Sequence, residues 1–295
     1  VESVADWNEI AEQIHHSTGE PFTASEHRGV GGGSINDAYV VSDGTQQYFV
    51  KLNRANRADM FEAEAAGLAE MAKSQSVRVP QPICLGVSGV NSYIVLEYLE
   101  LGNGDSANAL GQQLADMHRT TQERFGWDRN NTIGSTEQVN TWTDDWVEFY
   151  GRHRLLFQLG LPGAQHYGKQ LIAAGEELVD NLGVFFETYR PLPSLLHGDL
   201  WGGNYATTRD GAPVIFDPAV YYGDREADIA MTELFGGFGR RFYDAYNEAW
   251  PLDPGYGVRK ILYNLYHVLN HLNLFGGGYG GQAYSMIGRL QAEYR

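Results

Sequence analysis

The sequence predicts an α+β protein of two lobes. An antiparallel sheet with one inserted helix occupies residues 1–100, and a mainly helical lobe occupies residues 101–295. Three observations predict it. β-forming runs separated by turns crowd the first hundred residues, and one strongly helical stretch, 58–73, interrupts them. From Ala107 onward, one short hairpin apart, the apolar spacing is helical.

Taken in order, Val4, Trp7, Ile10, Ala11 and Ile14 recur at helical spacing and predict a helix over 4–16. Gly29-Val30-Gly31-Gly32-Gly33 sets four glycines in five residues, which no helix interior tolerates. β-formers follow at Ala38-Tyr39-Val40-Val41. After an Asp43-Gly44-Thr45 turn they recur at Tyr48-Phe49-Val50-Lys51-Leu52. The pattern reads as strand, Gly-rich turn, strand, turn, strand. In ADMFEAEAAGLAEMAK (58–73), Met60, Phe61, Ala65, Leu68 and Met71 share one face of a helix. VPQPI (79–83) ends that unit, and strands follow around 83–87 and 92–97, making five in all. A Gly/Asn/Asp cluster after Glu97 marks the boundary.

Beyond it, 107–120, 143–156 and 169–187 read as helices, as does most of the chain from Ile229, including 257–275. A hairpin spans 204–216 with Arg209-Asp210-Gly211 at its turn. GGGYGG (276–281) reads as a flexible loop.

Composition narrows the function. The 295 residues carry 21 basic and 37 acidic side chains, a formal charge of -16. Such a surface repels phosphate backbones, which argues against a nucleic-acid partner. The single cysteine, Cys84, permits no internal disulfide. The first twenty residues have neither a basic start nor a long apolar run, so the expectation is no signal peptide, no membrane partner and a cytoplasmic protein.

Two groups of residues carry chemistry. Gly31, Gly32, Gly33 and Ser34 form a loop whose backbone N–H groups can approach phosphate oxygens, and Lys51 on a following strand supplies a cation. Lys51 is one of only four lysines and sits in the apolar run YFVKL, so its ammonium needs a partner. Glu64 is the candidate, because it shares the inward stripe of Phe61 and Leu68. The second group is HGDLWGGN (197–204) followed by Asp217. Asn204 and Asp217 flank the hairpin, which brings them side by side. Two such oxygen ligands, completed by phosphate and water, suit Mg²⁺. Asp199 stands apart as a carboxylate able to take a hydroxyl proton.

This order resembles the kinase catalytic loop, His-x-Asp-x-x-x-x-Asn with a later metal-binding Asp. Gly198 stands where protein kinases carry Arg, and Phe216-Asp217-Pro218 replaces Asp-Phe-Gly. Both departures match the small-molecule branch of the protein-kinase-like fold, the aminoglycoside- and choline-kinase-like phosphotransferases. HGDLWGGN, FDPAVYYGDREADIAMTELFGGF (216–238), MFEAEAAGL, VPQPI, LADMHR (114–119) and FGWDRNNTIGSTEQVN (125–140) resemble the fructosamine kinase (ketosamine-3-kinase) family over nearly the whole chain. Several members carry a cysteine in the glycine loop, linked to redox control. Ser34 stands there in this chain, so a thiol switch is not carried over.

The resemblance implies transfer of the ATP γ-phosphoryl to the carbon-3 hydroxyl of a ketosamine, a glycated amine free or on protein. The phosphorylated product eliminates phosphate and frees the amine. A kinase for another cationic alcohol, such as an aminoglycoside, is the alternative. The implied cofactors are ATP and Mg²⁺. Asp199 is the implied base, Asn204 and Asp217 the metal ligands, and Lys51 the phosphate contact oriented by Glu64. Glu97, Tyr98 and Leu99 form the adenine hinge through their main chain. Trp201 either stacks on the sugar or anchors the loop. Asp224 and Glu226 are candidates for the substrate amine, while Asp228 caps the helix that follows, and His197 braces the loop. Trp127 and Asp128 belong either to the substrate rim or to packing.

Overall fold

The computed structural model describes residues 5–31 and 35–295. The chain divides into two compact units. One comprises the residues up to Gly104 together with Ala206–Phe216; the other comprises Asp105–Tyr205 and Asp217–Arg295. The first unit is therefore discontinuous in sequence, where the expected boundary at residue 100 was a single cut.

In the first unit α1 (Trp7–Thr18) precedes β1 (Glu26–Val30), β2 (Asp37–Ser42) and β3 (Gln47–Arg54). Next come α2 (Ala58–Lys73), β4 (Pro82–Ser88) and β5 (Asn91–Glu97). The five strands form one antiparallel sheet in the order β1-β2-β3-β5-β4. Asp6 caps α1 by accepting the N–H groups of Asn8 and Glu9, and Gly19 at φ 77° ends it. Ile10 and Ile14 of α1 join Val41, Val50, Leu52 and Val95 in one core. Strand side chains alternate faces, so Phe49 and Lys51 point away from that core. The face they share carries α2, whose Phe61, Leu68 and Met71 are buried.

The second unit starts at α3 (Ala107–His118), β6 (Asn131–Ile133) and β7 (Thr136–Gln138). Then come α4 (Trp146–Tyr150), a π-helical turn at Gly151–Leu156, α5 (Phe157–Leu159), α6 (Pro162–Tyr167) and α7 (Lys169–Asp180). β8 (Ser194–Leu196) leads into the 197–204 loop. The hairpin of β9 (Tyr205–Thr207) and β10 (Pro213–Ile215) follows, then β11 (Tyr221–Gly223) and α8 (Glu226–Leu234). The hairpin is tied within the first unit: Ile215 N–H donates to Arg78 O (3.1 Å) and Gly102 N–H to Thr207 O (2.9 Å). β8 and β11 pair antiparallel.

The chain finishes with α9 (Gly239–Ala249), α10 (Tyr256–Phe275) and α11 (Tyr279–Gln291). α3 packs on α9 through Gly111, where a Cβ would stand 2.5 Å from Phe242 O. α10 is apolar and buried over most of its surface, with α6, α8 and α11 against it. The Gly/Tyr run at 276–281 departs from its expected loop. Gly276 ends α10, but Tyr279 already starts α11, and Gly280 lies under the Tyr167 ring, 2.1 Å from where its Cβ would be. Close packing, not turn formation, uses that glycine. Among the described residues no helix is long and apolar enough to cross a membrane.

Candidate active site

In the first unit, β3 turns Lys51 towards α2, and its Nζ lies 2.6 Å from Glu64 Oε1. Lys51 is 7 % exposed, so the pair meets the need for a counter-charge that the apolar YFVKL run implied. Gly31 is exposed after β1; Gly32, Gly33 and Ser34 lie outside the described residues. Glu97 closes β5, and its carboxylate accepts from Arg78 (3.0 Å) and from Gln81 N–H (3.1 Å). Tyr98 and Leu99 follow, both half-buried.

In the second unit the 197–204 loop is held from below. Asp228 accepts the N–H of His197 at 2.8 Å and of Gly198 at 2.9 Å. Its Oδ2 also meets His118 Nε2 at 2.8 Å, and the other nitrogen of that ring meets the Tyr246 hydroxyl. Burial alone would raise the Asp228 carboxyl; the hydrogen bond and charge of His118, with His197 and Gly198, outweigh it and hold it below its ordinary value. Asp228 is thus an anchor inside α8 and not the cap expected of it. His197 is buried, and its Nδ1 accepts the Asp199 N–H at 3.1 Å, the brace expected from its position.

Gly198 must be glycine. Its φ is 86°, and a Cβ would stand 2.0 Å from Ala219 O. That contact, with Ala219 N–H donating to His197 O (2.8 Å), lays the segment after Asp217 against the loop.

Asn204 Nδ2 donates to Asp199 O at 2.8 Å and makes a long contact, 3.5 Å, with Asp217 O. The structure therefore brings Asp199, Asn204 and Asp217 together. Asp217 is exposed and holds a φ of 53°, unusual for a residue with a side chain. Burial, then the charges of Asp217 and Asp228, push the Asp199 carboxyl well above the usual carboxylate range.

With the Asn204 nitrogen turned into the loop, its Oδ1 is the atom left for a cation, beside an exposed carboxylate at 217. One amide oxygen and one carboxylate fit Mg²⁺, which takes few protein ligands and keeps waters and phosphate oxygens. Among the described residues no cluster of three or more His, Cys, Asp or Glu could hold a metal unaided.

Trp201 is 41 % exposed, lies over Gly203 and meets Phe235 edge-on at 6.2 Å. That much open surface means it is not a fully buried anchor. Asp224 and Glu226, expected to face a substrate amine, are corrected by their burial. Asp224 accepts from the hydroxyls of Tyr189 and Tyr263, and Glu226 takes the two-pronged Arg259 fork at 2.7 and 3.0 Å. Both are 0 % exposed, so internal partners use the lone pairs that an amine would need. Trp127 is buried, and Asp128 accepts from Trp142 Nε1 at 3.2 Å on the rim of a shallow cavity of about 540 Å³. That cavity includes neither Asp199, Asn204 nor Asp217.

Sequence reasoning missed His118. A lone histidine on the apolar face of α3 with Leu110 and Leu114 carried only the signal of an unpaired polar group in a buried stripe.

The fructosamine kinase family profile matches residues 6–293. A Synechocystis protein named "Probable ketoamine kinase" is 51% identical over 292 residues, 97% of each chain. The chloroplastic protein-ribulosamine 3-kinase of Arabidopsis thaliana is 45% identical, over 88% of this chain and 80% of that one. The crystal structure named "Putative fructosamine-3-kinase" from Haemophilus somnus superposes with a TM-score of 0.86 at 30% identity, over 95% of this chain and 96% of that one. An aminoglycoside phosphotransferase structure, at 13% identity and a TM-score of 0.62, shares the fold alone.

Proposed function

Because this chain belongs to the fructosamine kinase family and is a small-molecule kinase of protein-kinase-like fold, we propose that it transfers the γ-phosphoryl group of ATP to the carbon-3 hydroxyl of a ketosamine. The observation that carries this reading is the grouping of Asp199 and Asn204, on a loop fixed by Asp228, with Asp217 from beyond the hairpin. The kindred names ketoamine kinase and protein-ribulosamine 3-kinase support the substrate class.

Asp199 orients the sugar hydroxyl and accepts its proton as the O–P bond forms. Burial and two neighbouring carboxylates make it more basic than a surface aspartate, which favours that transfer. Phosphoryl transfer has a loose transition state, so holding the hydroxyl in line contributes more than removing its proton. Asn204 Oδ1 and the Asp217 carboxylate would hold Mg²⁺, which when bound offsets charge on the phosphate oxygens. Lys51, kept in one direction by Glu64, contacts the ATP phosphates, and the 97–99 main chain meets adenine. Trp201 offers its open face to the C–H side of the sugar. The amine is on a free amino acid or on protein, and the one free cysteine suits a reducing compartment such as the cytoplasm.

The test is ADP release on fructosyl-lysine, ribulosyl-lysine, a glycated peptide and kanamycin. Turnover on the first three supports the reading, and turnover confined to kanamycin overturns it.

A further inference from the structure

Asn131, Gln138 and Asn140 come from the NNTIGSTEQVN block, which the reaction above does not use. Together with Arg154 they are buried, Gln138 and Arg154 at 0 % exposure. Their hydrogen bonds run in one direction. Arg154 donates to Asn140 Oδ1 (2.7 Å), Asn140 Nδ2 donates to Asn131 Oδ1 (2.9 Å), and Asn131 Nδ2 donates to Val220 O (2.8 Å). A branch joins it: Tyr266 OH donates to Gln138 Oε1 (2.8 Å), and Gln138 Nε2 donates to Asn131 Oδ1 (2.9 Å) and to Ala219 O (3.1 Å).

Each bond fixes the orientation of the next amide. Asn140 must turn its oxygen to the guanidinium, so its nitrogen faces Asn131. Asn131 then receives two N–H groups on one oxygen, so its nitrogen faces Val220. The source is a buried cation whose partners are neutral: Val139 O (2.6 Å), His153 O (3.0 Å), Asn140 and the Tyr221 ring at 4.1 Å. Arg154 reaches this place from the π-helical turn, a local irregularity that re-aims a side chain.

The chain of donors ends on two successive carbonyls, 219 and 220, two and three residues after the strained Asp217. Ala219 is also the residue against which Gly198 closes. We propose that Arg154, Asn140, Asn131 and Gln138 are positioning residues. They hold the 217–220 segment so that the Asp217 carboxylate stays in place to take Mg²⁺ beside Asn204. A strained backbone persists only where its surroundings over-determine it, and this relay supplies part of that constraint through the carbonyls of Ala219 and Val220. The inference rests on the metal role proposed above for Asp217.

The test measures ADP binding by calorimetry with and without Mg²⁺, and Mn²⁺ binding to the ADP complex by electron paramagnetic resonance. Gln138→Leu weakens metal affinity about tenfold, the scale for partners that orient a metal ligand, and leaves metal-free ADP affinity unchanged. Tyr266→Phe keeps the volume and removes only the hydroxyl that orients Gln138, with a loss of about threefold. Leu178→Ala, a buried position on α7 outside the relay, lowers the melting temperature and leaves metal affinity unchanged. A folded Gln138→Leu with wild-type metal affinity overturns the inference, as does wild-type affinity in Tyr266→Phe if Gln138→Leu does not fold. Wild-type ADP binding that ignores Mg²⁺ removes the role of Asp217 first, and the relay's purpose with it.

Discussion

The carboxylate of Asp228 accepts the backbone N–H of His197, thirty-one residues earlier in the chain, at 2.8 Å. A helix therefore fixes a loop by main-chain contact, and the loop needs no regular partner on that side. Asp228→Asn puts an N–H₂ group where N–H and His118 donors converge. The expected loss is about 2–4 kcal/mol in denaturant unfolding, with a fall in kcat because Asp199 loses its support. The same carboxyl has a sign in pH. Its folded value lies below the unfolded one, so its stabilisation is complete above the unfolded value near 4. It is lost as pH falls through the depressed folded value. Acid unfolding of Asp228→Asn is correspondingly less steep, which a pH series of unfolding curves measures.

Asp199→Asn keeps the shape of the loop and removes the proton acceptor. Turnover drops about 10³-fold, within the range for losing a positioned base, while ADP affinity from titration calorimetry stays within about twofold. A variant as fast as the wild type would show that another group does this work.

Lys51 and Glu64 have a structural and a chemical role that a double variant separates. Lys51→Met alone takes the ammonium away from a mostly buried carboxylate and costs about 3 kcal/mol. Lys51→Met with Glu64→Leu removes both charges and returns to within about 1 kcal/mol of wild-type stability. kcat/KM for ATP stays at least about 10²-fold down in the pair, since the loss of about 3 kcal/mol of phosphate contact is not restored. Recovery of ATP use with recovered stability would make the pair structural alone.

Cys84, half-buried on the edge strand β4, has its thiol pushed up to about 11 by burial. At pH 8 about one molecule in a thousand carries the thiolate, so alkylation runs roughly 200-fold slower than for a free thiol. Mass-spectrometric labelling rates against pH check this, with reactivity still rising about tenfold per pH unit beyond pH 9, where an ordinary thiol has levelled off.

Where side chains act close to their own segment, the sequence was readable. The β-formers around Lys51 and the inward stripe of α2 located the ion pair. The five-residue spacing from Asp199 to Asn204 located the loop. Asp224 and Glu226 misled because their partners are distant: Arg259 and Tyr263 lie on α10, and an acidic run before a helix gives no sign of them. β6 and β7 have three residues each, too few for alternation to show. The π-helical turn shares its apolar spacing with the ordinary helix expected over 143–156, so nothing distinguished Arg154 as an inward residue.

The hairpin of β9 and β10 belongs to a unit whose other residues end at Gly104. A growing chain must therefore synthesise about a hundred further residues before that unit can close, and the segments around Arg78 and Gly102 wait for hydrogen-bond partners until residue 215 leaves the ribosome. A fragment ending at residue 104 would lack two strands no local sequence can replace. Supplying 205–216 as a separate peptide, or by circular permutation, is the way to make it fold alone.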